Sequence, residues 1–194
     1  MLSSPNGGLF LFPPLVWKYN YDFDLETLYP KVSNILSLVE NNSNLEKGDA
    51  VSTVSLEDKF QPHTWLELKD FQHWLGEKIN GIRKEYDFVI NHSEVIQSWV
   101  NRHMRTGETL EHSHNHSMFV VSCYLKCPPG SGNIEFKDPL EYHKHDFPVI
   151  PEISFYKEVH CNTNDVVIFP GWLRHRTQPN LTDQERIVMT FNIR

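Results

Sequence analysis

Two periodicities divide the chain. From Asp24 onward, Leu25, Leu28, Val32, Leu36 and Val39 recur every three or four positions, which predicts a helix that Pro30 breaks or restarts. Between Glu67 and Lys84 the residues Leu68, Phe71, Leu75, Ile79 and Ile82 share one face, while Lys69, Glu77 and Lys84 lie elsewhere, so a second amphipathic helix is expected. From about Val95 the pattern shortens to apolar runs: Val95 to Val100, Met118 to Lys126, Asn133 to Lys137, Ile153 to Tyr156, Val166 to Phe169 and Arg186 to Ile193. These read as strands. Pro128-Pro129-Gly130-Ser131-Gly132 and Asn162-Thr163-Asn164-Asp165 supply turn chemistry between them. The expectation is an α+β chain, one domain over 1–194, in which a helical layer (about 1–90) buttresses a β sandwich or barrel (about 91–194).

Composition narrows the function classes. A length of 194 residues with 39% hydrophobic and 22% charged residues is enough to bury a core without staples. The formal charge of -7 excludes a general nucleic-acid binder, which needs a basic stripe to displace phosphate counterions. No apolar run approaches the ~20 residues of a membrane helix, so no membrane association is expected. The start of the chain carries no positive segment, and Pro13 and Pro14 interrupt its apolar stretch, so it does not read as a secretory signal. A cytoplasmic location is expected. Cys123, Cys127 and Cys161 form no CxxC pair and read as reduced core thiols.

The chemistry concentrates in Glu111-His112-Ser113-His114-Asn115-His116, just ahead of a strand. In an extended segment residues two apart point the same way, so His112 and His114 can present two imidazoles to one ion; alone, such a cluster is equally a solvated polar loop. A third imidazole comes from His175, after the buried run Asp165 to Phe169 and the Pro170-Gly171 turn. Arg186 opens the last strand and offers a fork for a carboxylate inside a barrel, or else sits on the surface. His116 either orients its neighbours or is exposed. His143 and His145 lie in a charged stretch and read as surface residues. Arg102, Arg105, Arg174 and Arg176 flank the histidine segments, where they can attract an anionic substrate or be solvated. Ser117 and Ser122 lack a GxSxG setting, so serine hydrolase chemistry is not indicated.

Taken in order, His112-Ser113-His114, the strand through Tyr124-Leu125, Ser131-Gly132-Asn133-Ile134-Glu135-Phe136-Lys137-Asp138-Pro139, Phe169-Pro170-Gly171-Trp172-Leu173-Arg174-His175 and Glu185-Arg186-Ile187 through Phe191-Asn192 resemble the 2-oxoglutarate and Fe(II)-dependent oxygenases common in marine phages and bacteria, which are prolyl-hydroxylase-like. The resemblance covers the C-terminal half. It implies a double-stranded β-helix, a jelly-roll or cupin-like barrel, with Fe(II) held by His112 and His175. It also implies that Arg186 and Tyr124 take the distal carboxylate of 2-oxoglutarate. With O₂ and 2-oxoglutarate such an enzyme hydroxylates a C–H bond and releases succinate and CO₂; ascorbate is a possible stimulant.

Two positions depart from the pattern. His114 stands where wider relatives carry Asp or Glu, and Leu140 where close relatives carry Arg in an Asp-Pro-Arg run. Spacing makes His114 the third ligand; the competing reading is that Asp138 or Glu135 supplies a carboxylate from the neighbouring strand. The substrate, a small molecule or a peptidyl residue, and the oligomeric state are not set by the sequence. From other classes, a non-catalytic cupin-like metal- and ligand-binding protein, or a three-histidine isomerase or hydrolase, would share the histidines.

Overall fold

The computed structural model describes residues 2–3, 9–10, 16–40, 43–85, 93–140 and 155–194. In chain order, β1 (Leu2–Ser3) and β2 (Leu9–Phe10) form a short ribbon, and β3 (Trp17–Asn20) precedes α1 (Leu25–Leu36). β4 (Glu46–Lys47) and β5 (Ala50–Ser52) follow, then three 3₁₀ turns and α2 (Lys69–Glu85). The remainder is β6 (Val95–His103), β7 (Glu108–Thr109), β8 (Phe119–Lys126), β9 (Ile134–Lys137), β10 (Tyr156–Val159), β11 (Asp165–Pro170), β12 (His175–Thr177) and β13 (Arg186–Ile193).

A six-stranded sheet in the order β3-β11-β8-β13-β6-β5 is paired with a three-stranded sheet in the order β10-β9-β12, all with antiparallel neighbours. This is the double-stranded β-helix. Side chains alternate across each strand, and the larger sheet is covered on both faces. Phe119, Val121, Cys123 and Leu125 of β8, with Ile187, Met189, Phe191 and Ile193 of β13, pack on one side against Leu28, Val32, Phe71, Leu75, Ile79 and Ile82 of the two helices. The opposite positions, Val120, Tyr124, Val167, Phe169 and Val188, meet Ile134, Phe136 and Leu173 inside the barrel. Both faces being buried explains why β8 and β13 read as near-continuous apolar runs.

The helices answer the sequence pattern with one correction. Asp24 caps α1, its carboxylate accepting from the Thr27 amide at 3.2 Å. Pro30 does not break the helix. It sits on the exposed side, so the Glu26 carbonyl that loses its amide partner faces water, while Leu28, Val32, Ile35 and Leu36 hold the buried side. The five apolar residues predicted for α2 and its entry are all buried.

The N-terminal half is less purely helical than its pattern suggests. β3 and β5 form the two edges of the six-stranded sheet, and β4 pairs with β7. Strands of two to four residues are too short for periodicity to separate from loop. Of the run Ile153 to Tyr156, only the end is described, where Tyr156 opens β10; Ile153, His143 and His145 lie outside the described residues. Among the described residues no helix is long and apolar enough to cross a membrane.

Phe71 joins the helices to the sheet: it is 1% exposed and its ring lies 4.9 Å from Phe23 and 5.6 Å from Phe191. Phe71→Ala is expected to destabilise the fold by about 3–5 kcal/mol, read by denaturant unfolding. A loss below about 1 kcal/mol would show that this layer packs loosely.

Candidate metal centre

The backbone brings three imidazoles together by two local pairings. His112 and His175 form an antiparallel bridge, each amide donating to the other's carbonyl at 3.0 Å. The His114 amide donates to the Gly171 carbonyl at 2.8 Å, and the Gly171 amide to the Met118 carbonyl at 3.0 Å. Gly171 permits this contact, since a Cβ there would fall 2.2 Å from the Ser117 carbonyl oxygen and 3.0 Å from that of His114. The segment before β8 is therefore laid directly on the turn before β12.

One potential ligand atom from each of His112, His114 and His175 lies within 4.8 Å of the other two. Their hydrogen bonds fix which nitrogen is available. Nδ1 of His112 donates to the Leu110 carbonyl at 2.7 Å, Nδ1 of His114 to Asn192 Oδ1 at 2.7 Å, and Nδ1 of His175 to the Leu173 carbonyl at 2.9 Å. Each acceptor selects the tautomer that leaves an Nε2 lone pair, and Nε2 of His112 and His114 are 3.1 Å apart. Two lone pairs at that separation repel unless a cation or a proton lies between them. Burial opposes protonation of all three, joined at His114 and His175 by repulsion from neighbouring rings: His114 is lowered to about 4, His175 well below its ordinary value, and His112 downward as well. Three neutral imidazoles with outward-anchored Nδ1 atoms are a donor set suited to a divalent transition metal with positions left open.

The surrounding wall is stiff. The Trp99 indole stacks on His114 at 5.7 Å and 14°, and Phe169 meets His175 edge-on at 4.6 Å. The histidines open into a small pocket whose other lining residues include Asn101, His103, Ser122, Tyr124, Thr177 and Thr190. The larger groove beside Cys127, Asn133 and Leu181 contains none of the histidines of the triad.

Arg186, 1% exposed, occupies the interior face at the start of β13. Nη1 donates to the carbonyls of Ser131 and Gln178, Nη2 to Thr177 Oγ1 at 3.0 Å, and Nε to His103 Nδ1 at 3.4 Å. These bonds engage four of the five N–H groups a guanidinium carries and leave one on Nη2. The fork foreseen from sequence is thus a directed single donor, supported by Thr177. Tyr124 is 2% exposed; its hydroxyl bonds the Cys161 thiol, and burial pushes the phenol well above its usual range.

The other candidates separate clearly. Glu135 is turned to the outer face and pairs with Arg176 at 2.7 Å, and Asp138 accepts from the Leu140 amide at 2.9 Å in a turn. Neither carboxylate joins the histidine group found among the described residues. His116 is exposed, in a left-handed turn at φ 66°. Leu140 is 51% exposed. Arg105 pairs with Asp183, and Arg174 with Glu111, so these cations are already answered by carboxylates. Residues missed from sequence are Asn192, His103, Thr177 and Trp99. Strand alternation places Asn192, Thr190 and Arg186 on one face, a signal that was available once β13 was known to be buried on both sides.

Residues 97–192 match the model of the family described as "Putative 2OG-Fe(II) oxygenase". No curated protein matches by sequence. Among solved structures, the chain is similar to HygX from Streptomyces hygroscopicus with nickel, 2-oxoglutarate and hygromycin B bound, at TM-score 0.60 and 13% identity over 93% of this chain and 82% of that one. It is similar to the viral collagen prolyl hydroxylase of Paramecium Bursaria Chlorella virus-1 in its 2-oxoglutarate complex, at TM-score 0.59 and 13% identity over 92% and 94%. A Pseudomonas putida prolyl-4-hydroxylase gives TM-score 0.59 at 10% identity over 92% and 91%. At these identities the likeness is one of fold.

Replacing the acceptor behind a ligand should weaken metal binding without abolishing it. Asn192→Leu is expected to lower Fe(II) affinity about 10- to 100-fold, while Asp138→Ala leaves it unchanged and His114→Ala removes stoichiometric binding. Anaerobic Fe(II) titration of each folded variant decides this, and iron lost from Asp138→Ala but kept by His114→Ala would reverse the assignment.

Proposed function

The chain belongs to the 2-oxoglutarate and Fe(II)-dependent oxygenases, and we propose that it works through a three-histidine centre of His112, His114 and His175, with Arg186 and Tyr124 receiving the distal carboxylate of the cosubstrate. The observation that carries this reading is the convergence of three imidazoles whose Nδ1 atoms are all committed to acceptors. Such a set has no structural use without a cation, because it buries lone pairs against one another.

When bound there, Fe(II) and 2-oxoglutarate supply oxidative decarboxylation by O₂, yielding succinate and CO₂ and placing one oxygen atom in a substrate C–H bond. The protein's own task is geometric. His112 and His175 are held by their mutual backbone bridge, and His114 by Asn192 and the Trp99 ring. Arg186 offers Nη2 from a site closed to solvent, with Thr177 beside it, so a carboxylate gains a charge-assisted bond at low dielectric. Trp99, Phe136 and Phe169 keep water from the metal side.

The substrate is a small molecule or a peptidyl residue. Arg174 and Arg176, which flank His175 in the chain, are paired with Glu111 and Glu135, which supports a target that is not strongly anionic.

Two measurements test the assignment. Purified protein with Fe(II) and ascorbate is expected to convert 2-oxoglutarate slowly to succinate even without substrate; absence of both binding and turnover would sink it. Arg186→Ala is expected to cost about 3–5 kcal/mol of 2-oxoglutarate affinity with iron retained. Equal loss of iron and cosubstrate would point to misfolding in place of a lost anion contact.

A further inference from the structure

A guanidinium buried at 1% exposure without a carboxylate in contact is costly, and Arg186 touches only neutral atoms. The nearest answer to its charge lies one residue further along. His103, on the same interior face of β6, accepts from Arg186 Nε at its Nδ1, and its Nε2 lies 3.1 Å from Glu46 Oε2 and 2.9 Å from Thr109 Oγ1. Because Arg186 can only donate, His103 Nδ1 must be the acceptor, and the ring proton sits on Nε2, facing Glu46. Burial favours this neutral ring. Thr109 Oγ1 donates to Glu46 in turn, and the Thr109 amide donates at 2.8 Å to Thr177 Oγ1, the hydroxyl that also receives Arg186 Nη2. The side chains of His103 and Glu46 are 1% and 2% exposed. The loop is closed, and its charged members are buried.

Glu46 reaches this position from the far part of the chain by a specific device. β4 pairs with β7 in the register Glu46↔Thr109 and Lys47↔Glu108. The chain then turns at Gly48, with φ +68°, where a Cβ would lie 2.2 Å from the Thr106 carbonyl oxygen. Only glycine allows the β4-β5 turn to press so closely on the β6-β7 turn.

We propose that Glu46 and His103 are positioning residues for the cosubstrate: Glu46 fixes the His103 tautomer, and His103 holds the Arg186 fork so that its one uncommitted N–H faces the distal carboxylate. This rests on the assignment of Arg186 to that carboxylate. His103 lines the histidine pocket beside Thr177, and the proposed relay reaches the distal carboxylate through Arg186. Its signature is selectivity, because only ligands with a distal carboxylate use the relay, whereas oxalate chelates the metal without one.

The test is anaerobic calorimetry of the Fe(II)-loaded protein with 2-oxoglutarate and, separately, with oxalate. His103→Leu is expected to weaken 2-oxoglutarate about 10- to 100-fold and leave oxalate within about 3-fold. His103→Gln, whose amide presents one acceptor and one donor, recovers most of the affinity. Glu46→Gln keeps the hydrogen-bond framework but loses the charge, and falls between them; it also tests the relay should His103→Leu not fold. Wild-type 2-oxoglutarate binding by both His103→Leu and Glu46→Gln, or equal loss of oxalate, overturns the relay. Arg186→Ala separates the two levels: if it loses 2-oxoglutarate selectively while the relay variants do not, only the relay fails. If Arg186→Ala itself binds 2-oxoglutarate normally, the carboxylate assignment fails with it.

Discussion

A cation sealed inside a β-barrel must have its donors met from within, and Arg186 imposes that condition on the interior of this chain. Two carbonyls, one hydroxyl and one imidazole meet four of its N–H groups. Those partners come from the turn after β8, from the end of β12 and the residue following it, and from β6, so the requirement ties the smaller sheet to the larger one. The remaining N–H, on Nη2, is the one the proposed function gives to the cosubstrate's carboxylate.

The metal side solves the opposite problem. There the burden is to keep three imidazoles proton-free and aimed inward, which burial and three Nδ1 acceptors accomplish together. Arg186 and Asn192, six residues apart on β13, share the interior face, so the spacing between the proposed anion contact and the support of the proposed ligand His114 is set by strand geometry. A one-residue slip of β13 would turn both into the helix-facing core. Phe191 and Met189, which occupy that core in the native register, make such a slip doubly unfavourable.

Much of this was legible because burial leaves a period in the chain. α2 declared itself through five apolar residues on one face, and β8, β11 and β13 through runs covered on both sides. His112, His114 and His175 were found by type and spacing, and the structure brings them together. What was not legible lies in long-range pairings with no local pattern. Glu46, in Leu45-Glu46-Lys47-Gly48, reads as part of a solvated polar turn, yet β4-β7 pairing buries its carboxylate. Pro30 shows the converse, a local rule overridden because the bond it removes is on the solvent side.

Charge balance offers a reason for the departure at His114. The family resemblance implies a carboxylate at that position, and exchanging it for a neutral imidazole would leave the proposed centre one unit more positive. Glu46 restores that unit from the wall, since it lies close enough to stabilise the protonated forms of both His103 and His112. With the metal and the cosubstrate dianion in their proposed places, Fe(II) is cancelled by the dianion and Arg186 by Glu46, so the interior is formally neutral. A carboxylate at His114 together with Glu46 would leave an uncompensated anion in a dry barrel, which is the more costly arrangement. In the proposed assignment the two residues belong to one electrostatic solution: an anion on the wall, in place of one at the ligand position, keeps neutrality and anchors the guanidinium.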